Sequence, residues 1–438
     1  MRFKRNVANT LAGFAQSLYL GHVEQPDIDI SPIHRMIIDS QYKGFPIKFH
    51  GKSIAEFLGT KPNLFKDDFL FPVMVLKESA IKNNIRRMAV FCKENDFDLA
   101  PHVKTPMSPQ LAKLQIEAGA WAITVANFNQ AMIFLNYGFN RIIIGNEVLE
   151  QTAISEIARL NYLKKAEIFF YVDSISALKI VKDAISNQKD AKLNILIEIG
   201  APGGRAGIRD LNLLPELLTD LLNEKKIEIR GVTGFEGAVP DGDREKGQLK
   251  IRKFLAEIVT AAKIVQPYVQ NRLIISAGGS SFFDYVVEEF KKFDGDAHFI
   301  LRSGGYISHD HIHYEELYPF MGRKESEQFL PALELWSRVL STPERELAIL
   351  NFGKRDAGND LDNPTPIKKF NKRIEQFDAK IDKLNDQHAF MDVELGKVVV
   401  GELICCGISH PCTNFDKWRL IPMVDDNYDI VDCVHTFF

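Results

Sequence analysis

The chain lacks the roughly 20-residue apolar run that crossing a bilayer requires, and it lacks any block of basic charge. Its 54 Lys and Arg are outnumbered by 58 Asp and Glu, for a net charge of −4. No positive field therefore marks a nucleic-acid or anionic-membrane partner. Cysteine is scarce, with five in 438 residues. The count is odd, and Cys405, Cys406, Cys412 and Cys433 crowd the C-terminal end while Cys92 stands alone. That is not a disulfide framework, and it points to a reducing cytoplasm. Internal repeats and low-complexity tracts are also missing. The opening MRFKRNVANTLAGFAQSLYL starts basic, but Asn, Thr and Gln break its apolar stretch and no cleavage site follows. It reads as an amphipathic helix rather than a signal peptide.

What is present is the balance of a globular protein, 45% hydrophobic and 26% charged. The length exceeds one ordinary core and calls for two domains, or one large barrel with an added module. From residue 98 onward, short β-rich apolar runs alternate with segments of helical period such as SPQLAKLQIEAGA. The runs are 98–103, 121–127, 141–146, 167–173, 193–200, 228–235, 272–279 and 297–305. Near-continuous apolar strands separated by helices imply a parallel sheet covered on both faces. Eight such strands are the number that closes a (β/α)8 barrel; an open doubly wound sheet stays possible on strand count alone. A further run, FPVMVLK (71–77), precedes the eight and belongs elsewhere. Beyond residue 320 the pattern turns to irregular, antiparallel β character, and Asp356–Asp386 reads as a long connection carrying one charged helix. The expected division is 1–77, an extension that completes the β domain; 78–315, the barrel; and 316–438, a mostly-β C-terminal domain.

Barrel chemistry gathers at the C-terminal ends of strands. The first strand ends in PHVKT, which places Lys104 at the mouth. Partial desolvation there favours the neutral amine able to form a Schiff base, although an ordinary strand-end lysine simply reaches solvent. The fifth strand runs into GAPGGRAGIR with Arg205. The seventh runs into SAGGSSFF, where Gly278, Gly279, Ser280 and Ser281 could cradle a phosphate. The eighth ends in LRSGGY with Arg302 and Tyr306. Each glycine turn alone needs only a tight connection. Together they describe a site for pyridoxal 5'-phosphate.

APHVKTPMSPQLAKLQIEAGAWAITVAN followed by GNEV resembles the cofactor-lysine region of the fold-type III pyridoxal-phosphate enzymes, the alanine racemase fold. It is most similar to the branch holding D-serine dehydratase and D-threonine aldolase, over roughly residues 70–438. The resemblance implies that Lys104 is the Schiff-base lysine, that Arg205 meets the cofactor's phenolic oxygen, and that Gly278, Gly279 and Ser280 form the phosphate loop. It places Arg302 near the pyridine nitrogen. Ala100, Pro106 and Met107 depart from the commoner form of the motif, so roles of those side chains do not transfer.

GISHPCTNFDKW sets His410 and Cys412 two apart. Read alone, the pair is an ordinary loop, a Cys–His dyad, or two ligands of a zinc ion, whose preferred donors are imidazole and thiolate. Here the segment resembles the D-serine dehydratase signature, which implies zinc. The aldolase branch carries Asp where Cys412 stands. SHDHIHY places His309, His311 and His313 at alternate positions, a metal spacing if the segment is a strand, though a polar crossover is the plainer reading. His388, Asp173 and Glu198 are further candidates, each with a structural alternative. Cys405 and Cys406, in an apolar run, read as buried.

These readings lead to the expectation of a pyridoxal-phosphate- and zinc-dependent D-serine dehydratase that yields pyruvate and ammonia. D-threonine aldolase-type cleavage and a non-catalytic cofactor-binding protein are the alternatives. The resemblance further implies a homodimer with the site near the subunit interface, a small D-amino acid as substrate, and no nucleic-acid or membrane partner.

Overall fold

Strand by strand, the apolar runs after residue 98 become the parallel sheet that their burial demands. The computed structural model describes residues 27–239, 244–314, 318–320, 323–324 and 327–438. The amphipathic helix expected near the N-terminus lies outside them. A first strand, β1 (Val73–Lys77), precedes eight others. These are β2 (Asp98–Leu99), β3 (Ile123–Val125), β4 (Arg141–Glu147), β5 (Glu167–Val172), β6 (Leu193–Ile199), β7 (Ile227–Gly234), β8 (Leu273–Ala277) and β9 (Ala297–Leu301). They run β2-β9-β8-β7-β6-β5-β4-β3 in one parallel sheet. The two ends meet through backbone bonds: Trp121 N–H donates to the Leu99 carbonyl at 2.8 Å, Thr124 to Pro101 at 2.9 Å and Val103 to Thr124 at 2.8 Å. The sheet thus closes on itself, and the open alternative falls away.

Side-chain alternation separates the two sides of the barrel wall. Ile143, Phe169, Tyr171, Leu196, Ile274 and Ile300 fill the interior. Their neighbours Ile142, Ile144, Ile168 and Phe170 face outward into the large core shared with the helices. At Gly231 a Cβ would be driven into the Ile274 carbonyl. This is also where the β6–β7 register slips by one residue, because Ile195 faces Ile229 and Leu196 faces Gly231. A glycine at that irregularity lets β8 approach.

The second body is a mostly antiparallel sheet. Its strands are β10 (Leu333–Glu344), β11 (Leu347–Leu350), β12 (Thr365–Asn371), β13 (Arg373–Gln376), β14 (Lys380–Leu384), β15 (Ala389–Asp392), β16 (Leu403–Gly407), β17 (Leu420–Val424) and β18 (Ile430–His435). β1 lies in its middle, antiparallel to β10 and parallel to β17. Around it the N-terminal segment packs Phe45, Phe49, Phe57 and Phe69 into a second apolar cluster with Trp336.

One expectation fails here. The stretch Asp356–Asp386 carries no helix: β12, β13 and β14 run through it. The Lys-rich pattern suggests a solvated helix, but Lys372 turns the chain in a left-handed conformation (φ 69°) and pairs Phe370 with Ile374 across a hairpin. Phe370 stacks on Phe65 at 4.1 Å, a contact with the distant N-terminal segment that outweighs local preference. Among the described residues, no helix is long and apolar enough to cross a membrane.

Candidate active site

The exits of β2, β8 and β9 converge at the barrel mouth. Beyond β2 the chain passes through Pro101, His102 and Val103 to Lys104. The β9 exit crosses so close that a Cβ at Gly304 would strike the His102 carbonyl. Ser303 Oγ donates to the Gly278 carbonyl at 3.0 Å, and the Gly305 N–H donates to Ser280 Oγ at 3.0 Å. These bonds tie the two glycine turns into one loop pair.

Lys104 keeps solvent access through the open mouth, yet protein packed around its amine lowers its pKa below the lysine range. Arg205 and Arg302 push the same way, and the Cys412 sulfur opposes them. Arg302 is only 8% exposed. Its guanidinium donates to the Tyr171 hydroxyl at 2.5 Å and to the Gly234 carbonyl. Arg205, on the β6 exit loop, lies over the Phe235 ring at 4.7 Å. Glu198, near the end of β6, is pushed up to about 8, first by burial and then by the hydrogen bond and charge of Glu147. Asp173 accepts the Gly207 N–H at 3.0 Å and so braces the loop that carries Arg205.

Two of the expected contacts lie differently. The N–H groups of Gly278 and Gly279 donate to the carboxylate of Glu236, which is fully buried just beyond β7. Tyr306 points into the core, where its hydroxyl donates to Gln115 Oε1 at 2.7 Å, so the structure does not bring its ring into the mouth. Glu236 carries no sequence signal, because its partners lie one βα unit away.

Do the remaining residues fit the cofactor? Nε of Arg302, Nδ1 of His102 and Oε2 of Glu198 are buried without a hydrogen-bond partner among the described residues. Buried polar atoms are costly when left unpaired. His102 and Arg302 both lie close enough to Lys104 to act on it electrostatically, and their unpaired nitrogens suit a polar, anionic aromatic ligand, so on that count the mouth fits pyridoxal phosphate. Lys104 would hold it, with Arg302, Arg205 and Ser280 as the polar groups that could contact it.

The β16 exit brings in the second group. His410 takes a left-handed backbone conformation (φ 49°) before the short turn Pro411–Thr413. Its N–H donates to Asp310 Oδ2 at 3.0 Å, and its carbonyl accepts from Asn414 Nδ2 at 3.0 Å. Cys412 Sγ lies 3.1 Å from Thr105 Oγ1, the residue directly after Lys104. Burial alone raises the Cys412 pKa, but His410, Thr105 and the Lys104 charge outweigh it and lower it. His410 is raised to about 9, chiefly by its hydrogen bond to Cys412, with Asp360 helping. Its Nδ1 lies 2.5 Å from Asp360 Oδ2. Neither Asp310 nor Asp360 was readable as part of this site, since each reaches it from a distant loop.

The alternating histidines do not form a shared face. His309 is 2% exposed and packs on Tyr318. The His311 ring fills the space above Gly407. Only His313 approaches the pair, with its ring 6.1 Å from that of His410. His388 is exposed in the β14–β15 turn. Cys405 and Cys406 are fully buried in β16. Among the described residues, no three His, Cys, Asp or Glu side chains gather as a metal cage. A metal at His410 and Cys412 would therefore have two protein donors, one fewer than the three usual in catalytic zinc sites, and would take the rest from solvent or substrate.

Two family models match the chain, the alanine racemase N-terminal domain over residues 76–283 and the serine dehydratase domain over residues 332–424. The 3-hydroxy-D-aspartate aldolase of Paracoccus denitrificans (strain Pd 1222) is 21% identical over 375 residues, 84% of this chain and 93% of that protein. A D-threonine aldolase from Arthrobacter sp. is 27% identical over 200 residues, 45% of this chain and 50% of its own. Among solved structures, the D-threonine aldolase from Filomicrobium marinum matches with a TM-score of 0.71 at 20% identity, covering 84% of this chain and 95% of that one. The D-threo-3-hydroxyaspartate dehydratase from Delftia sp. HT23 matches at 0.68 and 18% identity, over 84% and 98%. Variants of that dehydratase replace a histidine and a cysteine two positions apart with alanine, and the cysteine variant is a metal-free form. The likenesses establish an alanine racemase-like fold, a parallel barrel with a mostly antiparallel C-terminal domain.

Proposed function

We propose that this chain, which matches the models of the alanine racemase N-terminal domain and of a serine dehydratase domain, is a zinc-assisted lyase of the fold-type III pyridoxal-phosphate family acting on D-β-hydroxy amino acids, a D-serine dehydratase first of all. One observation carries the proposal: Thr105, directly after Lys104, touches Cys412 at 3.1 Å. That contact supports reading the lysine and the sulfur–imidazole pair as parts of one site. The spacing of the paired substitutions in the Delftia dehydratase supports the reading of His410 and Cys412 as metal ligands.

Bound pyridoxal phosphate supplies an electron sink for charge developing at the substrate α-carbon. His410 and Cys412 would hold the zinc ion, which when bound would supply a Lewis acid for the β-hydroxyl. Lys104, with its pKa lowered by the packed mouth and two arginines, takes the α-proton and returns it as needed. Arg302, fixed by Tyr171 and the Gly234 carbonyl, orients the ring. Loss of the α-proton and the β-hydroxyl as water leaves an enamine, whose hydrolysis gives a keto acid and ammonia.

Retro-aldol cleavage to glycine and an aldehyde is the second reading, favoured by the 3-hydroxy-D-aspartate aldolase that aligns over most of the chain. Cys412 weighs toward elimination. Incubation of the loaded protein with D-serine, D-threonine and D-threo-3-hydroxyaspartate separates the two when ammonia and aldehyde are assayed in parallel, with and without a chelator. Ammonia and keto acid from D-serine, suppressed by the chelator, are the expected result. Aldehyde without ammonia would select the aldolase, and undiminished turnover in excess chelator would remove zinc from the account.

A further inference from the structure

Asp360 reaches the metal pair from the connection between β11 and β12, outside the segment that carries both ligands. One of its carboxylate oxygens lies 2.5 Å from Nδ1 of His410, and the other accepts the Thr413 hydroxyl at 2.7 Å. Thr413 closes the Pro411–Thr413 turn on which Cys412 rides. A single carboxylate thereby grips the imidazole of one ligand and the turn bearing the other. With Nδ1–H donated to Asp360, the remaining ring nitrogen, Nε2, is left as the coordinating atom.

Asp360 is itself held in place. Ser409 Oγ donates to Asp362 at 3.0 Å, the Gly358 N–H donates to Asn414 Oδ1 at 2.9 Å, and Trp418 Nε1 donates to the Asp356 carbonyl at 2.7 Å. A Cβ at Gly358 would collide with Thr413, so the two segments lie in direct contact. The run 356–362 is laced along 409–418 from end to end.

We propose that Asp360 is a positioning residue that fixes the tautomer and orientation of His410 for metal binding; this rests on reading His410 and Cys412 as a metal site. The Asp360 side chain is 40% exposed. As a surface ion pair its removal would change stability little. As the outer partner of a ligating histidine, its removal costs about 10–100-fold in metal affinity. The two roles therefore separate in measurement.

The test uses the full chain loaded with pyridoxal phosphate and titrates zinc against a chromophoric chelator. The parent protein should hold one zinc per chain, and His410→Ala should lose it. Asp360→Ala should weaken zinc about 10–100-fold, with the urea midpoint near that of the parent. Asp360→Asn, which keeps an acceptor but not the charge, should fall between. With cobalt in place of zinc, the ligand-field spectrum should change in Asp360→Ala. Should Asp360→Ala fail to fold, the Asn variant and its cobalt spectrum decide alone. Zinc held by the Asp360 variants as tightly as by the parent overturns the proposal. Zinc held equally by the parent and His410→Ala overturns instead the metal reading beneath it.

Discussion

Two arginines, a lysine and one reluctant acid share the barrel mouth, and the charges around Lys104 and Glu198 shift both of them. Arg205 and Arg302 help keep Lys104 below its ordinary pKa after burial has begun the shift. Glu198 goes the other way, up to about 8, because it is buried against Glu147. The consequence for stability has a definite sign. The folded chain holds the Glu198 proton up to about pH 8, whereas the unfolded chain releases it near the ordinary glutamate value of about 4.5. Between those values the folded state binds more protons, so this group makes stability fall as pH rises. Urea midpoints of cofactor-free protein should decline from pH 5 to 8. Glu198→Gln should flatten that decline and be more stable at pH 8 by on the order of 1–2 kcal/mol; an unchanged slope would reject the assignment. Lys104 was legible because strand ends carry barrel chemistry and its neighbours agreed. The proton on Glu198 was not, since it depends on a carboxylate from another strand. Asp360 and Glu236 escaped for the same reason: hydrogen bonds between distant loops leave no periodic trace in a sequence.

Among the elements, the barrel strands announced themselves because burial on both faces forces continuous apolar runs. The weaker strands β12 to β14 did not. Their Lys and Glu residues fit a solvated helix equally well, and the pairing of β12 with β16 and β13, of β14 with β15, and the Phe65–Phe370 stack decide the matter. The turns tell a similar story. SAGGSS looks like a phosphate cradle, and the loop is there, but Glu236 takes the Gly278 and Gly279 N–H groups and Ser280 Oγ takes that of Gly305. Gly231 shows how narrow the tolerances are inside the wall. A methyl group there meets the Ile274 backbone on β8 rather than a flexible side chain. Gly231→Ala should therefore destabilise the chain by at least about 3 kcal/mol, read from urea unfolding. A loss below about 1 kcal/mol would mean that β7 and β8 can part without cost.

At the scale of the whole molecule, the two bodies are interwoven rather than strung in series. β1 is inserted between β10 and β17 before the chain enters the barrel. The C-terminal strand returns to the lysine loop: Gln110 Nε2 donates to the Cys433 carbonyl at 2.7 Å, the His435 N–H donates to Gln110 Oε1 at 2.8 Å, and the Phe437 N–H donates to the Met107 carbonyl at 3.0 Å. These bonds seat the β domain on its own barrel and bring Cys412 to Thr105 of the same chain. Within the chain, His410 and Cys412 thus stand beside the loop that carries its own Lys104. A site served by one chain's own Lys104, His410 and Cys412 makes a prediction that complementation can test. Lys104→Ala lacks the lysine but keeps the sulfur–imidazole pair; Cys412→Ala has the reverse defect. Co-expressed in one cell and purified together, the two inactive variants should remain inactive, because no chain carries both halves. If subunits traded these residues, mixed assemblies would regain a share of sites with both groups intact, and recovery of about a quarter of parental turnover would be expected from random pairing in a dimer. Recovery on that scale would place the working site across two chains and displace the Thr105–Cys412 contact from the centre of the mechanism.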